Sequence, residues 1–129
     1  MFGLLNIDKP AGVTSRDVVN HIQRVVRPLK VGHAGTLDPL ATGVLVVAVG
    51  RATRLIEYIQ QLSKRYLGTF LLGCTSDTED TDGRIVELED APQPTVEGIR
   101  ATLPRFRGRI MQRPPNYSAL KLQGRRAYD

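Results

Sequence analysis

The sequence predicts an α+β fold, in which a mixed, largely antiparallel sheet is flanked by helices. The predicted elements begin strand, helix, strand, helix and then continue as several strands with few crossover helices, unlike a doubly wound parallel sheet. The continuous β-branched run VLVVAVG is typical of a strand covered on both faces. With 41% apolar residues in 129, the chain can bury a core of its own.

The first half of the chain predicts two strands and two helices. FGLLNI is typical of a short buried strand that the turn formers DKPAG end. TSRDVVNHIQRVV places its apolar residues at helical spacing, with Thr14 or Ser15 as the N-cap and Pro28 as the stop. KVGHAGTLDPLATG is predicted to be a loop, VLVVAVG a strand and TRLIEYIQQL a helix.

The second half predicts mainly strands. KRYLGTFLLG and RIVELE are expected to be strands on either side of the acidic turn TSDTEDTDG. TVEGIRATL indicates a short helix behind a threonine cap. GRIMQ and YSALKL indicate strands around the turn RPPN, and GRRAYD indicates the start of a helix.

Composition favours a polyanionic partner and a reducing compartment. Lys and Arg number 18 against 13 Asp and Glu, so the net charge is +5 and the sequence pI is about 9.8. The single cysteine, Cys74, excludes an internal disulfide and a cysteine-rich metal site. The N-terminus lacks a basic leader and no apolar run approaches the length of a membrane span. We therefore expect a cytoplasmic protein with no membrane partner.

Common catalytic motifs are absent from the sequence, which contains no Walker loop, Gly-x-Gly-x-x-Gly, His-Glu-x-x-His or Gly-x-Ser-x-Gly. TEDTDGRIVELE, residues 78–89, nearly fits a calcium-binding EF-hand loop. That motif needs a helix on each side, whereas both flanks here are predicted to be strands. An acidic hairpin is the better interpretation.

Asp38 stands in a run of glycines and small residues, GHAGTLDPLATGVL, directly before a predicted buried strand. A carboxylate in such a loop can serve as a nucleophile or general base, with small neighbours leaving room for a flat substrate. The alternative is that Asp38 only caps a turn before Pro39, because Asx-Pro turns are common. The loop by itself leaves these two interpretations about even.

Four segments, in order, resemble the bacterial TruB family of tRNA pseudouridine synthases: GLLNIDKPAGVTS, GHAGTLDPLATGVLVVAVGRATR, KRYLGTFLLG and RPPNYSALKLQGRRAY. They extend from the first residues to the last, and ATGVL after the Asp-Pro favours this branch over guide-RNA-dependent relatives. The resemblance implies the pseudouridine synthase fold, incomplete here. It also implies that the T-loop uridine of tRNA is isomerised to pseudouridine after base flipping, without metal or organic cofactor.

The same resemblance assigns roles to individual residues. Asp38 matches the family's essential catalytic aspartate, and Tyr66 matches the tyrosine that stacks on the flipped base and assists proton removal from C5. His33 matches a histidine that lies against the RNA. A second group is expected to contact RNA or support the site: Lys9, Lys64, Arg65, Tyr117 and Lys121.

By this resemblance, residues 1–129 are the N-terminal portion of a catalytic domain. The rest of that domain, with the arginine that pairs with the catalytic aspartate, and a C-terminal RNA-binding domain would lie outside them. The partner is the tRNA T-arm, with no obligate protein partner and a monomer expected at full length. Two alternatives differ in class: a non-catalytic RNA-binding or tRNA-folding module, and a metal-dependent hydrolase that uses Asp38 and the acidic turn.

Overall fold

The structure is a computed structural model that describes residues 1–111 together with the backbone of residues 121–122 and 125–126. The chain divides into two compact units, residues 1–67 and residues 68–129. Each unit is described by itself. Together they contain helices and antiparallel strand pairs, which confirms the predicted α+β class.

The first unit is built on a three-stranded antiparallel sheet. Its strands are β1 (Gly3–Lys9), β2 (Val31–His33) and β3 (Gly43–Val49), in the order β1-β3-β2. In register, Lys9 pairs with Gly43 and His33 pairs with Val47. The C-terminal end of β1 therefore lies beside the start of β3.

Helix α1 (Ser15–Val25) follows β1 and begins with a complete capping box. The Thr14 hydroxyl accepts a hydrogen bond from the Asp17 N–H at 3.1 Å, and the Asp17 carboxylate accepts one from the Thr14 N–H at 2.9 Å. These bonds satisfy backbone donors that the first helical turn leaves free. Of the two N-cap candidates in the sequence, Thr14 is thus the N-cap.

A 3-10 helix (Gly50–Leu55) and helix α2 (Ile56–Gln60) follow β3. A Cβ added to Gly32 on β2 would lie 2.8 Å from the Ile56 Cδ1 atom, so this glycine lets α2 approach the sheet closely. The core of the unit lies mainly along β3. The buried apolar residues in the described part of the chain are Val19, Ala34, Leu45, Val47, Ala48, Val49 and Ala52.

The second unit contains the hairpin of β4 (Cys74–Ser76) and β5 (Ile85–Glu87), then helix α3 (Val96–Thr102) and a 3-10 helix (Leu103–Phe106). The Thr95 hydroxyl caps α3 by accepting from the Gly98 N–H at 3.0 Å. Strands β6 (Lys121–Leu122) and β7 (Arg125–Arg126) form another antiparallel pair. The acidic turn joins β4 to β5, so strands and not the helices of an EF-hand flank it. The strand after the turn is the predicted one, whereas the strand before it is Cys74–Ser76 and not residues 64–73.

Four predicted elements were wrong. Residues 31–33 form β2, although the sequence predicted a loop there; residues 64–73 and 108–111 form no strand, although strands were predicted. Residues 125–126 form β7 where a helix was predicted to begin. Strands depend on a partner that supplies hydrogen bonds, and alternation within one segment does not reveal whether that partner is present.

Among the residues that the structure describes, no helix has the length and apolar character needed to cross a membrane.

Candidate active site

Asp38 lies in the long connection between β2 and β3, which we call the Asp38 loop (residues 34–42). The loop leaves the sheet through a hydrogen bond from the Ala34 N–H to the Val46 carbonyl oxygen at 2.8 Å. Its centre then passes beside the segment that joins β1 to α1. Side chains and backbone of that segment hold the residues on either side of Asp38.

Asp38 begins a tight turn, but its side chain is not used in that turn. The Asp38 carbonyl oxygen accepts a hydrogen bond from the Ala41 N–H at 3.0 Å, and Pro39 occupies the second position of the turn, where its fixed φ is favourable. The residue is exposed, and no hydrogen bond to its carboxylate is present in the described part of the chain. Among the described residues, the carboxylate therefore does not cap the turn.

Lys9 is completely buried at the end of β1. Its ammonium group donates to three backbone carbonyl oxygens: those of Val13 at 2.7 Å, Pro10 at 2.9 Å and Pro39 at 3.3 Å. A buried cation is tolerated only when such acceptors replace its water shell. Lys9 consequently closes the β1–α1 turn and ties it to the residue that follows Asp38.

Ser15, at the start of α1, is the other buried polar side chain among the described residues, with 3% of its surface exposed. Its hydroxyl accepts from the Leu37 N–H at 2.9 Å and lies 3.2 Å from the Leu37 carbonyl oxygen, to which it can donate. Both buried polar side chains thus bind backbone atoms next to Asp38, one on each side.

Gly12 adds a further bond to the same place. Its N–H donates to the Pro39 carbonyl oxygen at 2.8 Å, while its φ of +81° is a conformation that residues with a Cβ rarely adopt. The Pro39 carbonyl therefore accepts from both Gly12 and Lys9. The glycine of DKPAG therefore supports the Asp38 loop, in addition to its place in the turn after β1.

His33, the last residue of β2, is half-buried and points back at the Asp38 loop. Its Nδ1 atom lies 2.5 Å from the Gly35 carbonyl oxygen. Because a carbonyl can only accept, Nδ1 carries the proton and Nε2 is left to accept a hydrogen bond in the neutral ring. The structure thus brings His33 to the entrance of the loop that holds Asp38.

Lys64 also approaches this loop, but its ammonium group is engaged elsewhere. It donates to the Gln60 carbonyl oxygen at 2.6 Å and to the Leu62 carbonyl oxygen at 3.2 Å, just beyond α2. A Cβ added at Gly35 would lie 3.9 Å from the Lys64 Cε atom, so the side-chain stem is adjacent to the start of the loop. Lys64 therefore binds carbonyls at the C-terminal end of a helix, which favours cations.

Tyr66 and Arg65 are exposed in the segment after α2, which is neither helix nor strand, and 69% of the Tyr66 surface is accessible. Within residues 1–111, no hydrogen bond joins the Tyr66 side chain to the Asp38 loop. An exposed aromatic ring of this kind is available for stacking. The predicted contacts of Tyr117 and Lys121 lie outside the residues whose side chains the structure describes.

The net positive charge of the chain lies in the unit that contains Asp38. Residues 1–67 hold nine Lys and Arg against four Asp and Glu, a net charge of +5, whereas residues 68–129 hold nine of each sign. The net positive charge of the chain therefore belongs to the unit that contains this site, whose cationic residues are Lys9, Arg16, Arg24, Arg27, Lys30, Arg51, Arg54, Lys64 and Arg65. Such a distribution attracts a polyanion to the site-bearing unit.

Sequence reasoning missed two members of this site, Ser15 and Gly12. Ser15 was considered only as an N-cap, because serine before an apolar helical stripe usually has that role. Its contact with Leu37 spans 22 positions and could not be inferred from local spacing. One signal was available in the sequence: Thr14 and Ser15 are adjacent, but a helix needs only one N-cap, so one of the two hydroxyls was left for another contact.

Comparison with known proteins identifies the family. Residues 23–129 match the model of the TruB family pseudouridylate synthase N-terminal domain. The chain is 54% identical over 127 residues to a tRNA pseudouridine synthase B of Gluconacetobacter diazotrophicus, covering 98% of this chain and 41% of the relative. It is 48% identical over 126 residues to one of Mycobacterium tuberculosis, covering 98% and 42%, and 46% identical over 129 residues to one of Moorella thermoacetica, covering 100% and 42%.

The chain thus spans about two fifths of the length of these curated relatives. The family match includes the Asp38 loop, β3 and Tyr66, and the matches to the relatives add β1 and the start of α1. The chain belongs to the TruB family of pseudouridylate synthases, whose N-terminal domain it matches.

Proposed function

We propose that this chain takes part in the isomerisation of a uridine to pseudouridine in tRNA, with Asp38 as the catalytic carboxylate. One observation carries the proposal. The two buried polar side chains of the described residues, Lys9 and Ser15, hold the backbone on both sides of Asp38, while the Asp38 carboxylate itself is exposed and without a hydrogen bond there. A fold that uses its buried hydrogen-bonding groups in this way fixes one exposed carboxylate in position.

The reaction requires a positioned carboxylate. The bond between uracil N1 and ribose C1′ breaks, the base turns and a bond forms between C5 and C1′. The proton on C5 is lost to solvent, and N1 takes up a proton in its place. A carboxylate beneath the nucleoside can attack the sugar or the base, or assist elimination at the sugar. Each of these roles needs the carboxylate at a fixed distance from the reacting atoms, which an anchored backbone provides.

The target uridine must leave the stack of its RNA loop before the carboxylate can reach it. Tyr66 has an exposed ring that can stack on the extruded base, and it is our candidate for assisting removal of the C5 proton. The free Nε2 atom of His33 can accept a hydrogen bond from the RNA at the entrance of the loop. Lys9 supports the site from within the fold and makes no direct contact with RNA in this proposal.

The charge distribution supports RNA as the partner. A surplus of five positive charges on residues 1–67 attracts the phosphate backbone, and such contacts make affinity decrease with salt without reading sequence. Arg65 is exposed and is proposed as one phosphate contact. The relatives carry the name tRNA pseudouridine synthase B, and we propose tRNA, at its T-loop uridine, as the substrate of this chain also. We further propose that the protein is cytoplasmic and, at full length, a monomer.

The proposed reaction is tested with tRNA transcripts that carry tritium at C5 of uridine. Isomerisation releases the label to water, so we expect release from a transcript labelled at the T-loop uridine. A matched transcript in which that position is cytidine and the label lies elsewhere should release none. No release from the T-loop label would contradict the proposed function.

The second candidate is an RNA-binding module that acts without chemistry, and the positive charge of residues 1–67 favours it equally. It predicts that the chain binds a T-arm hairpin with the same affinity whether residue 38 is Asp or Asn. It also predicts no release of tritium from uridine C5. Tritium release separates the candidates, because Asp38→Asn is expected to bind the RNA under both.

A further inference from the structure

The hydroxyl of Ser15 is used in an unusual way for a serine at a helix start. Such hydroxyls normally accept from the first free N–H groups of the helix. In α1 that role belongs entirely to Thr14, whose hydroxyl and backbone form a reciprocal pair with Asp17. The Ser15 hydroxyl is therefore available to another part of the fold.

That hydroxyl is directed at a single residue, Leu37. It accepts from the Leu37 N–H at 2.9 Å, and the Leu37 carbonyl oxygen lies 3.2 Å away. Leu37 precedes Asp38 directly, so the two peptide groups involved include the one that joins Leu37 to Asp38. Because Ser15 is 3% exposed, water cannot easily replace this contact.

We propose that Ser15 is a positioning residue for Asp38, through which the start of α1 fixes the peptide before the carboxylate. The predicted effect of Ser15 on catalysis rests on the proposed function. Lys9 and Gly12 hold the peptide after Asp38 through Pro39. Loss of the Ser15 hydroxyl frees one side of Asp38 and leaves the other side held.

The claim that Ser15 holds Leu37 is tested by amide hydrogen exchange of the 129-residue chain, measured for each residue. In Ser15→Ala, exchange at Leu37 is expected to accelerate by on the order of tenfold relative to the parent, while the amides of β3 keep their rates. The control is Thr14→Ala, which weakens the start of the same helix by removing a hydroxyl that is hydrogen-bonded to Asp17. It should leave the ratio of Leu37 to β3 exchange unchanged.

The claim that Ser15 positions Asp38 for catalysis is tested by the kinetics of tritium release from tRNA. Ser15→Ala is expected to lower kcat by about tenfold or more with little change in KM, because binding is retained and only the placement of the carboxylate is lost. Thr14→Ala should keep kcat near that of the parent. Equal kcat values in the two variants would overturn the proposal.

Two results in the exchange experiment would also overturn it: an unchanged Leu37 rate in Ser15→Ala, or the same acceleration at Leu37 in Thr14→Ala. A uniform acceleration of Leu37 and β3 together would likewise contradict it, since it would show a general loss of stability. Failure of the proposed function is recognised separately. In that case the parent chain itself releases no tritium, while the exchange result still decides the role of Ser15.

Discussion

The ammonium group of Lys9 lies 3.3 Å from the carbonyl oxygen of Pro39, which is 30 positions further along the chain. This bond joins the end of β1 to the residue that follows Asp38. The same ammonium group also closes the turn before α1 through Pro10 and Val13. Lys9, which the sequence predicted to contact RNA or to support the site, is thus an internal support of the Asp38 loop.

Replacement of Lys9 by methionine is expected to lower the free energy of unfolding of the first unit by about 2 kcal/mol. The apolar stem is kept, but three part-buried hydrogen bonds to backbone carbonyl oxygens are lost. The measurement is urea unfolding followed by the amide signals of β3. Lys30→Met is the control, because Lys30 is exposed and an ordinary surface change costs less than about 0.5 kcal/mol. Equal stabilities of the two variants would contradict this account of Lys9.

Replacement of Gly12 by alanine tests backbone strain alone. No atom lies within 4 Å of the position where the new Cβ would be, but φ is +81°. We expect a loss of about 1 kcal/mol in unfolding free energy, because an L-residue is strained in that conformation. Gly3→Ala is the control, since its surroundings are equally open and its φ is not positive. Thermal unfolding compares them, and a Gly12→Ala chain as stable as Gly3→Ala would contradict the prediction.

The ring of His33 is expected to be the tautomer with its proton on Nδ1. The Gly35 carbonyl oxygen, 2.5 Å away, can only accept. Nitrogen NMR of the imidazole at a pH where the ring is neutral distinguishes the two tautomers. His33→Asn, whose amide can replace the Nδ1 donor, should preserve order in the Asp38 loop better than His33→Gln. A protonated Nε2 in the neutral ring would contradict this assignment.

The start of α1 is expected to weaken in acid. The Thr14 hydroxyl, and then the Thr14 N–H, hold the pKa of Asp17 below its usual range. Because the folded state binds this proton less readily than the unfolded state, the contribution of Asp17 to stability is complete above the usual aspartate pKa of about 3.9. It is lost as the pH falls through the lower, folded-state pKa.

The pH dependence is measured as the difference in unfolding free energy between the parent and Asp17→Asn. The parent should be the more stable at neutral pH, and the difference should shrink as the pH falls below about 4. Thr14→Ala is the control, because it removes the hydroxyl that lowers this pKa. A difference that stays constant down to acid pH would contradict the assignment.

The parts of the fold that the sequence predicted correctly depend on local signals. Helix α1 follows from its apolar spacing and its threonine cap, and β3 follows from a continuous β-branched run. Strand β2 has only three residues, one of them Gly32, and its pairing with β3 has no local signal. The segment around Tyr66 has the composition of a strand but lacks strand pairing in the described residues.

The sequence was enough to predict the candidate catalytic residue, but not the residues that hold its loop in place. Asp38 was identified by its loop and by resemblance, and the structure adds that its carboxylate is exposed and not used in the turn. The burial of Lys9 and the contact of Ser15 with Leu37 depend on partners 22 to 30 positions away. The predicted contact of Lys64 with RNA stays a prediction, and the structure adds that its ammonium group binds the carbonyl oxygens of Gln60, the last residue of α2, and of Leu62.

The central claim is that Asp38 is the catalytic carboxylate. Its most direct test is release of tritium from uridine C5 of a T-loop-labelled tRNA transcript, compared between the parent, Asp38→Asn and Asp17→Asn at neutral pH. The account predicts release by the parent and by Asp17→Asn, which is the control because it changes a carboxylate elsewhere in the same unit. It predicts no release by Asp38→Asn, although this variant should still bind the transcript. Release by Asp38→Asn at the rate of the parent would contradict it.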